Sequence, residues 1–330
     1  MPTAEQNAIV QAQIEELYAW HHTRGDDRVV GYYPPAMRAE ADRFGMAFTH
    51  VDGTQWCLGD SDYAFPMQSI SKVFIYALAL EDNGREATLR RVGVEPSGDP
   101  FNSITFDEVN NRPFNPMINA GALVATRLVH GGDTRQRVAR IVDKLRLYAG
   151  NPRLCVDEDL LAQELASNDR NLAISYLMRS LGMIDGDLYE NLTVYLAACS
   201  VRVTARDLAT MGATLAYGGR NPITGDEALP RPHVRDVVTV MMMCGMYTAA
   251  GEWAYDVGIP AKSAVSGGLL VTMPGRFGAA FFSPGLDRHG NSVRGVGICR
   301  DLSTRLGLHM YADPAESTFG RQQGPGRRRD

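Results

Sequence analysis

Apolar side chains recur at helical spacing near the start of the chain and through most of its middle. Residues 4–20 predict an amphipathic helix, and a second helix is expected from about Ser69 to Asp82, closed by the Asn83–Gly84 pair. From residue 116 to about residue 247 the pattern is almost wholly helical. It predicts seven further helices, at 117–130, 134–149, 157–167, 170–181, 186–199, 204–217 and 232–247.

Near both ends of the chain the apolar pattern changes to short stretches that predict strands. Residues 46–50 and 55–58 flank the Asp52–Gly53 pair, a dipeptide that favours a tight hairpin turn. Beyond residue 260, strands are expected at 264–272, 278–282 and 293–299, followed by a last helix at 302–311. Residues 313–330 have no periodicity and are expected to form a disordered tail.

Strands at both ends with helices between them predict a mixed α/β (α+β) fold. We expect an antiparallel sheet that is built from both chain ends and flanked by helices, with an inserted all-helical lobe. The expected division is a discontinuous sheet domain at 1–68 and 220–312, a helical domain at 69–219, and the tail. An active site is then expected between the two lobes.

Composition and charge narrow the classes of protein that this chain can represent. With 330 residues, 45% of them hydrophobic, it can bury a substantial core, and its net charge of −5 disfavours a nucleic-acid-binding protein. The acidic start does not resemble a secretion signal, and the longest apolar run, 73–80, is far shorter than the roughly 20 residues that cross a membrane. We therefore expect a cytoplasmic protein with no membrane or nucleic-acid partner.

The cysteines and histidines give no sign of a metal site or a disulfide framework. The five cysteines are far apart and form no C-x-x-C pair, and the seven histidines are not spaced as metal ligands. We expect no metal and no cofactor, and cysteines that stay reduced in the cytoplasm.

Lysine is rare in this chain. Only Lys72, Lys144 and Lys262 occur among the 33 basic residues, and all the others are arginine. Arginine stays protonated in a protein whereas lysine can lose its proton, so each lysine is a candidate for a task that needs a neutral amine or a compact ammonium. Compositional bias of the source is the simpler explanation, and Lys144 is expected to face solvent without such a task.

The first chemical motif is Ser69-x-x-Lys72, in the run FPMQSISKVF. On a helix these two side chains lie one turn apart on the same face. A helix that begins near Gln68 would place Ser69 where free N–H groups and the helix dipole favour an oxyanion. A lysine in an apolar stretch can act as the base that a nucleophilic serine needs, although on an exposed helix the motif would mean nothing.

The second motif is Lys262-Ser263-Ala264, which opens a predicted strand. It is similar to Lys-Thr-Gly, with Ser263 in place of threonine and Ala264 in place of glycine. Ser-x-x-Lys followed far downstream by Lys-Thr-Gly is the pairing of serine β-lactamases and penicillin-binding proteins. In that pairing the strand can supply N–H groups to an oxyanion. Taken alone, a turn that enters a core strand explains the segment equally well.

Three runs together resemble the serine-dependent, β-lactamase-like glutaminases: QSISKVF, NPMINAGAL and KSAVSGGLL. The resemblance extends from about residue 10 to residue 311 and implies a β-lactamase-like fold. It implies that Ser69 is the nucleophile, that Lys72 is its base, and that Tyr247 relays a proton to the leaving ammonia. Lys262 is expected to keep the site positive and to lower the pKa of Lys72.

The resemblance also implies a set of substrate-binding residues. These are Tyr33, Gln68, Ser69, Asn119, Glu164, Asn171, Tyr195, Tyr247 and Val265. Glu164 suits the ammonium of an amino acid, but it can share a helix face with Asn171 only if residues 167–168 stay near-helical. Without the resemblance, Asn119 and Asn171 are more readily helix caps, Glu164 a solvated helix residue and Tyr195 a core aromatic residue.

The function implied by the resemblance is hydrolysis of L-glutamine to L-glutamate and ammonia through a serine acyl-enzyme, by a hydrolase that acts on a linear amide. L-Glutamine is the expected substrate, and a homodimer or homotetramer is the expected assembly. Two alternatives stay open. One is a serine acyl hydrolase of the same fold that acts on β-lactams or peptides, and the other is a non-catalytic helical binding protein.

Overall fold

The computed structural model describes residues 4–23, 42–313 and 317, so Tyr33 and nearly all of the predicted tail lie outside the described residues. Its strands are β1 (Gly45–His50), β2 (Gln55–Gly59), β3 (Phe65–Pro66), β4 (Arg202–Val203), β5 (Ala261–Ser263), β6 (Gly268–Met273) and β7 (Phe277–Phe282). Its helices are α1 (Ala4–Thr23), α2 (Ser71–Arg91), α3 (Asn119–Arg127), α4 (Thr134–Ala149), α5 (Glu158–Ala166), α6 (Asp169–Ser180), α7 (Leu188–Cys199), α8 (Ala205–Ala216), α9 (Arg231–Cys244), α10 (Ala250–Asp256) and α11 (Val293–Leu306). Within these ranges, no helix combines the length and the apolar character that crossing a membrane requires.

Five of the strands form one antiparallel sheet in the order β2-β1-β7-β6-β5. Strands β1 and β2 form the predicted hairpin, in which Thr49 lies opposite Gln55. Strand β1 also pairs with β7, where Gly45 lies opposite Phe282. The two ends of the chain therefore meet in one sheet, and the predicted mixed fold with an antiparallel sheet is confirmed.

Side chains along the sheet alternate between two hydrophobic cores, as the period of two in a strand requires. Met46 and Phe48 of β1 pack into the core that contains Ile14 of α1 and Ile298 of α11. Ala47, between them in sequence, belongs to the larger core, which also contains the buried residues of the helical region. The sheet is thus covered on one face by α1, α11 and α10, which contributes Trp253, and on the other by the helical region.

Helix α8 lies directly on the second face of the sheet. Its start is a capping box, in which Thr204 and Asp207 satisfy each other's backbone N–H groups. A Cβ atom added to Gly278 of β7 would lie 2.0 Å from the backbone nitrogen of Ala213, so glycine is what permits this close approach. Because α8 contacts both the sheet and α4, the boundary at residue 219 between two domains stays a prediction.

Helix α2 runs through the centre of the helical region. Every residue from 71 to 80 is buried, which explains why the sequence there is almost wholly apolar. The predicted end of this helix is instead a kink at Gly84 (φ 77°), after which a second segment continues to Arg91. The seven helices predicted beyond it are present, with ends that differ from the prediction by at most three residues.

The predictions after residue 260 contain the main errors. The first residues of the strand expected at 264–272 form a turn, in which Gly267 donates its N–H to the carbonyl of Ala264. Only its second part forms a strand, β6, and β5 ends before the expected start. The strand expected at 293–299 is wrong, because that segment opens α11, capped by Ser292 and ending at Leu306 rather than residue 311. The buried positions of α11, among them Ile298 and Leu302, follow a helical period that the valines of this segment obscured.

Candidate active site

Ser69 lies in a short 3-10 turn, Gln68–Ile70, immediately before α2. The helix itself begins at Ser71, later than the predicted start near Gln68. Gln68 has φ 47°, a left-handed conformation that is rare outside glycine and that turns the chain sharply before Ser69. The backbone N–H of Met67 donates to the carbonyl of Val201, which anchors this turn to the segment before β4.

Lys72 lies completely buried in the first turn of α2. Its Nζ donates a hydrogen bond of 2.7 Å to Oδ1 of Asn119, and it lies 5.7 Å from the ring centroid of Phe101. Burial lowers the pKa of Lys72 to about 8, because a charged amine is poorly solvated there. About a tenth of this amine is therefore neutral at pH 7, far more than for an exposed lysine, and the neutral form is the one that a general base needs.

Lys262 of strand β5 lies behind the opposite wall of the site and is also completely buried. Its Nζ donates to the carbonyl oxygens of Gly245 (3.1 Å) and Ser263 (2.6 Å), and it lies 4.2 Å from the ring centroid of Tyr247. Burial, and secondly the charge of Lys72, hold the pKa of Lys262 well below its usual value. Burial is the main cause of the lowered pKa of Lys72, and a further lowering by Lys262 stays a prediction.

Tyr247 connects the two walls. It opens the 3-10 turn Tyr247–Ala249 with φ 54°, so it too has a left-handed backbone. Its hydroxyl donates to the carbonyl of Ser263 at 3.0 Å. Burial raises the pKa of Tyr247, and hydrogen bonds with the side chain of Ser69 and the backbone of Val265 partly oppose that rise. The phenol is therefore protonated near neutral pH and in contact with Ser69.

A cavity of about 380 Å³ opens between these walls. The residues predicted to bind substrate that line it are Gln68, Ser69, Asn119, Glu164, Asn171, Tyr195 and Val265. Tyr247 lines two smaller cavities that share Phe101 with it, and the two buried lysines lie behind the wall. The structure thus brings together, from distant parts of the sequence, every predicted site residue that it describes.

Glu164 and Asn171 reach the cavity from different helices. Ser167 and Asn168 have non-helical backbone angles and separate α5 from α6, so the continuous helix needed for a shared face does not form. The carboxylate of Glu164 accepts hydrogen bonds from Nε2 of Gln68 (3.0 Å) and from Nδ2 of Asn168 (3.3 Å). The break between the helices, rather than helical spacing, directs both side chains into the cavity.

The residues that line the cavity and were missed by the sequence analysis include Phe101, Asn168 and Ser266. Phe101 comes from the loop between α2 and α3, and its ring centroid lies 4.9 Å from that of Tyr247. Asn168 lies at the break between α5 and α6. The buried hydroxyl of Ser266 makes no hydrogen bond with any residue that the structure describes. All three lie in loops or turns, where hydrophobic periodicity gives no signal.

Comparisons with known proteins agree on one family. A family model described as Glutaminase matches residues 28–311. A glutaminase of Trichormus variabilis is 46% identical over 298 residues, which cover 90% of this chain and 89% of that protein. A glutaminase of Clostridium tetani is 40% identical over 307 residues, which cover 92% of this chain and 100% of that protein.

Solved structures extend this similarity to the fold. A structure described as probable glutaminase ybaS has a TM-score of 0.87 at 36% identity, covering 94% of this chain and 99% of that one. A crystal structure of Mglu in its glutamate form has a TM-score of 0.83 at 44% identity, covering 90% of this chain and 69% of that one. The fold and the cleft define a hydrolase of the β-lactamase-like class that acts on an amide. Within that class, the chain belongs to the glutaminase family.

Proposed function

We propose that this protein hydrolyses L-glutamine to L-glutamate and ammonia through an acyl-enzyme formed on Ser69. The observation that carries the proposal is the surroundings of Ser69. The side chain of Ser69 lies close enough to the phenol of Tyr247 to affect its pKa, and the fully buried Lys72, with a pKa of about 8, lies three residues further along the chain. A serine hydroxyl needs such a base to become a nucleophile.

The reaction proceeds in two stages. Neutral Lys72 accepts the proton of Ser69, and the Oγ of Ser69 attacks the carbon of the side-chain amide. Backbone N–H groups of Ser69 and Val265 donate to the oxyanion. The proton taken from Ser69 is relayed through Tyr247 to the nitrogen, so that the C–N bond breaks, ammonia leaves and Lys72 is neutral again. In the second stage water attacks the ester carbonyl, which breaks the bond to Ser69 and releases L-glutamate.

Substrate recognition uses the polar wall of the cavity. The carboxylate of Glu164, held by Gln68, faces the cavity and suits the α-ammonium group of glutamine. Donors on Asn119, Asn171 and Tyr195 suit the α-carboxylate. Tyr33, which the resemblance places over the site, lies outside the described residues and keeps its predicted role of covering the substrate.

The variant Ser69→Ala tests the nucleophile. We expect it to release ammonia from glutamine at least about a thousandfold more slowly than the wild type, because the covalent route is closed. An assay coupled to ammonia release measures the rate, and intact mass after treatment with diazo-oxo-norleucine shows whether the wild type, but not the variant, is labelled. Wild-type rates in the variant would refute the proposal.

The same measurements separate the alternatives that the sequence left open. Turnover of nitrocefin without turnover of glutamine would indicate a β-lactam or peptide hydrolase of this fold. Failure of the electrophile to label Ser69 in the wild type would indicate a binding protein without catalysis. Asparagine and γ-glutamyl amides in the same assay define how strictly the cavity selects the length and the leaving group of the substrate.

We also propose a homodimer or homotetramer located in the cytoplasm. The assembly is supported by the family resemblance and by apolar side chains that α6 and its C-terminal end expose, namely Tyr176, Leu177 and Leu181. The location is supported by five free cysteines, three of them buried, which suit a reducing compartment. Light scattering coupled to size-exclusion chromatography tests the assembly, and a single species of monomer mass would refute it.

A further inference from the structure

Asn168 occupies the N-cap position of α6, but its side chain does not cap that helix. At the five other helix starts in the described part of the chain whose N-cap residue is Asp, Ser or Thr, that side chain accepts a hydrogen bond from its own helix; these caps are Asp133, Asp157, Asp187, Thr204 and Ser292. Asparagine is among the best N-cap residues, so this side chain forgoes an interaction that was available to it.

The side chain of Asn168 instead connects two residues of the cavity. Its Nδ2 donates to Oε2 of Glu164 at 3.3 Å, and its Oδ1 accepts a hydrogen bond from Nδ2 of Asn171. Both ends of the amide are therefore used between α5 and α6, at the break that directs Glu164 and Asn171 into the cavity. All three residues line that cavity.

These bonds continue a chain of hydrogen bonds that begins at Lys72. Nζ of Lys72 donates to Oδ1 of Asn119, whose Nδ2 donates to Oδ1 of Asn171 at 2.9 Å. Asn171 then donates to Asn168, which donates to Glu164. Because the lysine can donate at one end and the carboxylate can only accept at the other, the chain fixes which way each amide points.

We infer that Asn168 is a positioning residue, which holds the carboxylate of Glu164 and the amide of Asn171 in the orientations that receive the amino-acid end of the substrate. The inference rests on the proposed function, because it takes Glu164 as the partner of the substrate ammonium. Without Asn168, one carboxylate oxygen of Glu164 loses a donor. The amide of Asn171 also loses the acceptor that fixes its orientation, so both contacts to substrate weaken.

The variant Asn168→Ala tests this role through a split between KM and kcat. We expect KM for glutamine to rise about tenfold while kcat stays within about twofold, because contacts to the non-reacting end are made equally in the ground state and the transition state. The matched control is Asp133→Ala at a cap outside the cavity, which should lower Tm and leave KM unchanged. A KM within about twofold of the wild type for Asn168→Ala would overturn the inference.

The variant Asn168→Asp adds a signature in pH that a purely structural role would not produce. The introduced carboxylate cannot donate to Glu164 and repels it, so we expect KM to rise further than in Asn168→Ala at pH 8. When the pH is lowered and the introduced group gains a proton, it can donate again. The ratio of its KM to that of the wild type should then fall, and a ratio independent of pH would contradict the role.

A substrate analogue separates this inference from the proposed function. 5-Amino-5-oxopentanoate keeps the side-chain amide and the carboxylate of glutamine but lacks the ammonium. Asn168→Ala should lose less kcat/KM on this analogue than on glutamine, because Glu164 has no partner in it. Equal losses on both compounds would overturn the inference, whereas a wild type that releases no ammonia from either compound would instead refute the proposed function.

Discussion

The two walls of the cleft each bury a lysine completely, but they give those lysines different partners. Lys72 bonds to a side chain, Asn119, which belongs to a chain of polar groups that ends at Glu164. Lys262 bonds to two backbone carbonyls and lies over the ring of Tyr247. This difference supports the proposal that Lys72 transfers the proton of Ser69, whereas Lys262 holds the backbone next to Val265.

The variant Lys72→Arg tests directly whether Lys72 acts as the base. Arginine keeps the positive charge but cannot act as a base near neutral pH, so we expect kcat to fall by about 10³-fold or more. Ammonia release measures kcat, and circular dichroism with a thermal melt shows whether the variant is folded. If a folded Lys72→Arg protein kept more than a tenth of the wild-type rate, another group would be the base.

The dependence of activity on pH tests the state of Lys72 in the unmodified protein. If the neutral amine is the active form, as proposed, kcat/KM should level off above its pKa of about 8. Below it, kcat/KM should fall about tenfold for each unit of pH, because the fraction of neutral amine falls by that factor. A profile that is flat between pH 6 and 8 would contradict the assignment.

The variant Lys262→Met sharpens the contrast between the two lysines. It removes two hydrogen bonds to backbone carbonyls near Tyr247 and Val265, so we expect kcat to fall by about tenfold to a hundredfold, less than for Lys72→Arg. The lower limb of the pH profile should stay near pH 8, because burial sets the pKa of Lys72. A limb that moves upward by a full unit would show instead that Lys262 lowers that pKa.

The third lysine supplies the control with the smallest effect. Lys144 does not simply face solvent, as the sequence suggested: it is half-buried and bonds to Glu81 (2.8 Å) and to the carbonyl of Ala228 (3.1 Å). Arginine can replace such a partner, so Lys144→Arg should leave kcat and KM within about twofold and change Tm by at most about 3 °C. A large loss of activity in this variant would show that a lysine outside the cleft is also needed for the reaction.

Local signals in the sequence predicted a large part of the fold. Helical spacing located the central helices, and the Asp52–Gly53 pair located the hairpin, because both depend on residues that are neighbours in the chain. Helix α11 was missed because a valine-rich segment with two glycines has little local preference for a helix. The cap at Ser292 and burial against α1 decide its structure, and the second of these is a tertiary effect.

The site was predictable only as far as a motif could be recognised. Ser69 and Lys72 are close in sequence, so the spacing of their motif can be recognised there. Phe101 and Ser266 reach the cavity only because the chain folds back on itself. The pKa of Lys262 likewise depends on how deeply β5 is buried, which composition does not show. The sequence predicted the chemistry of the site, and tertiary packing determines its polar connections and the state of its lysines.

The pairing of β1 with β7 constrains how this protein can be made. Translation delivers β7 long after β1 and β2, so the sheet lacks its central strand until the whole helical region has been made. Contacts within the helical region are closer in sequence, and we expect that region to organise first. Lys262 and Val265 are also translated late, so a nascent chain contains Ser69 and Lys72 well before the other side of the site can form.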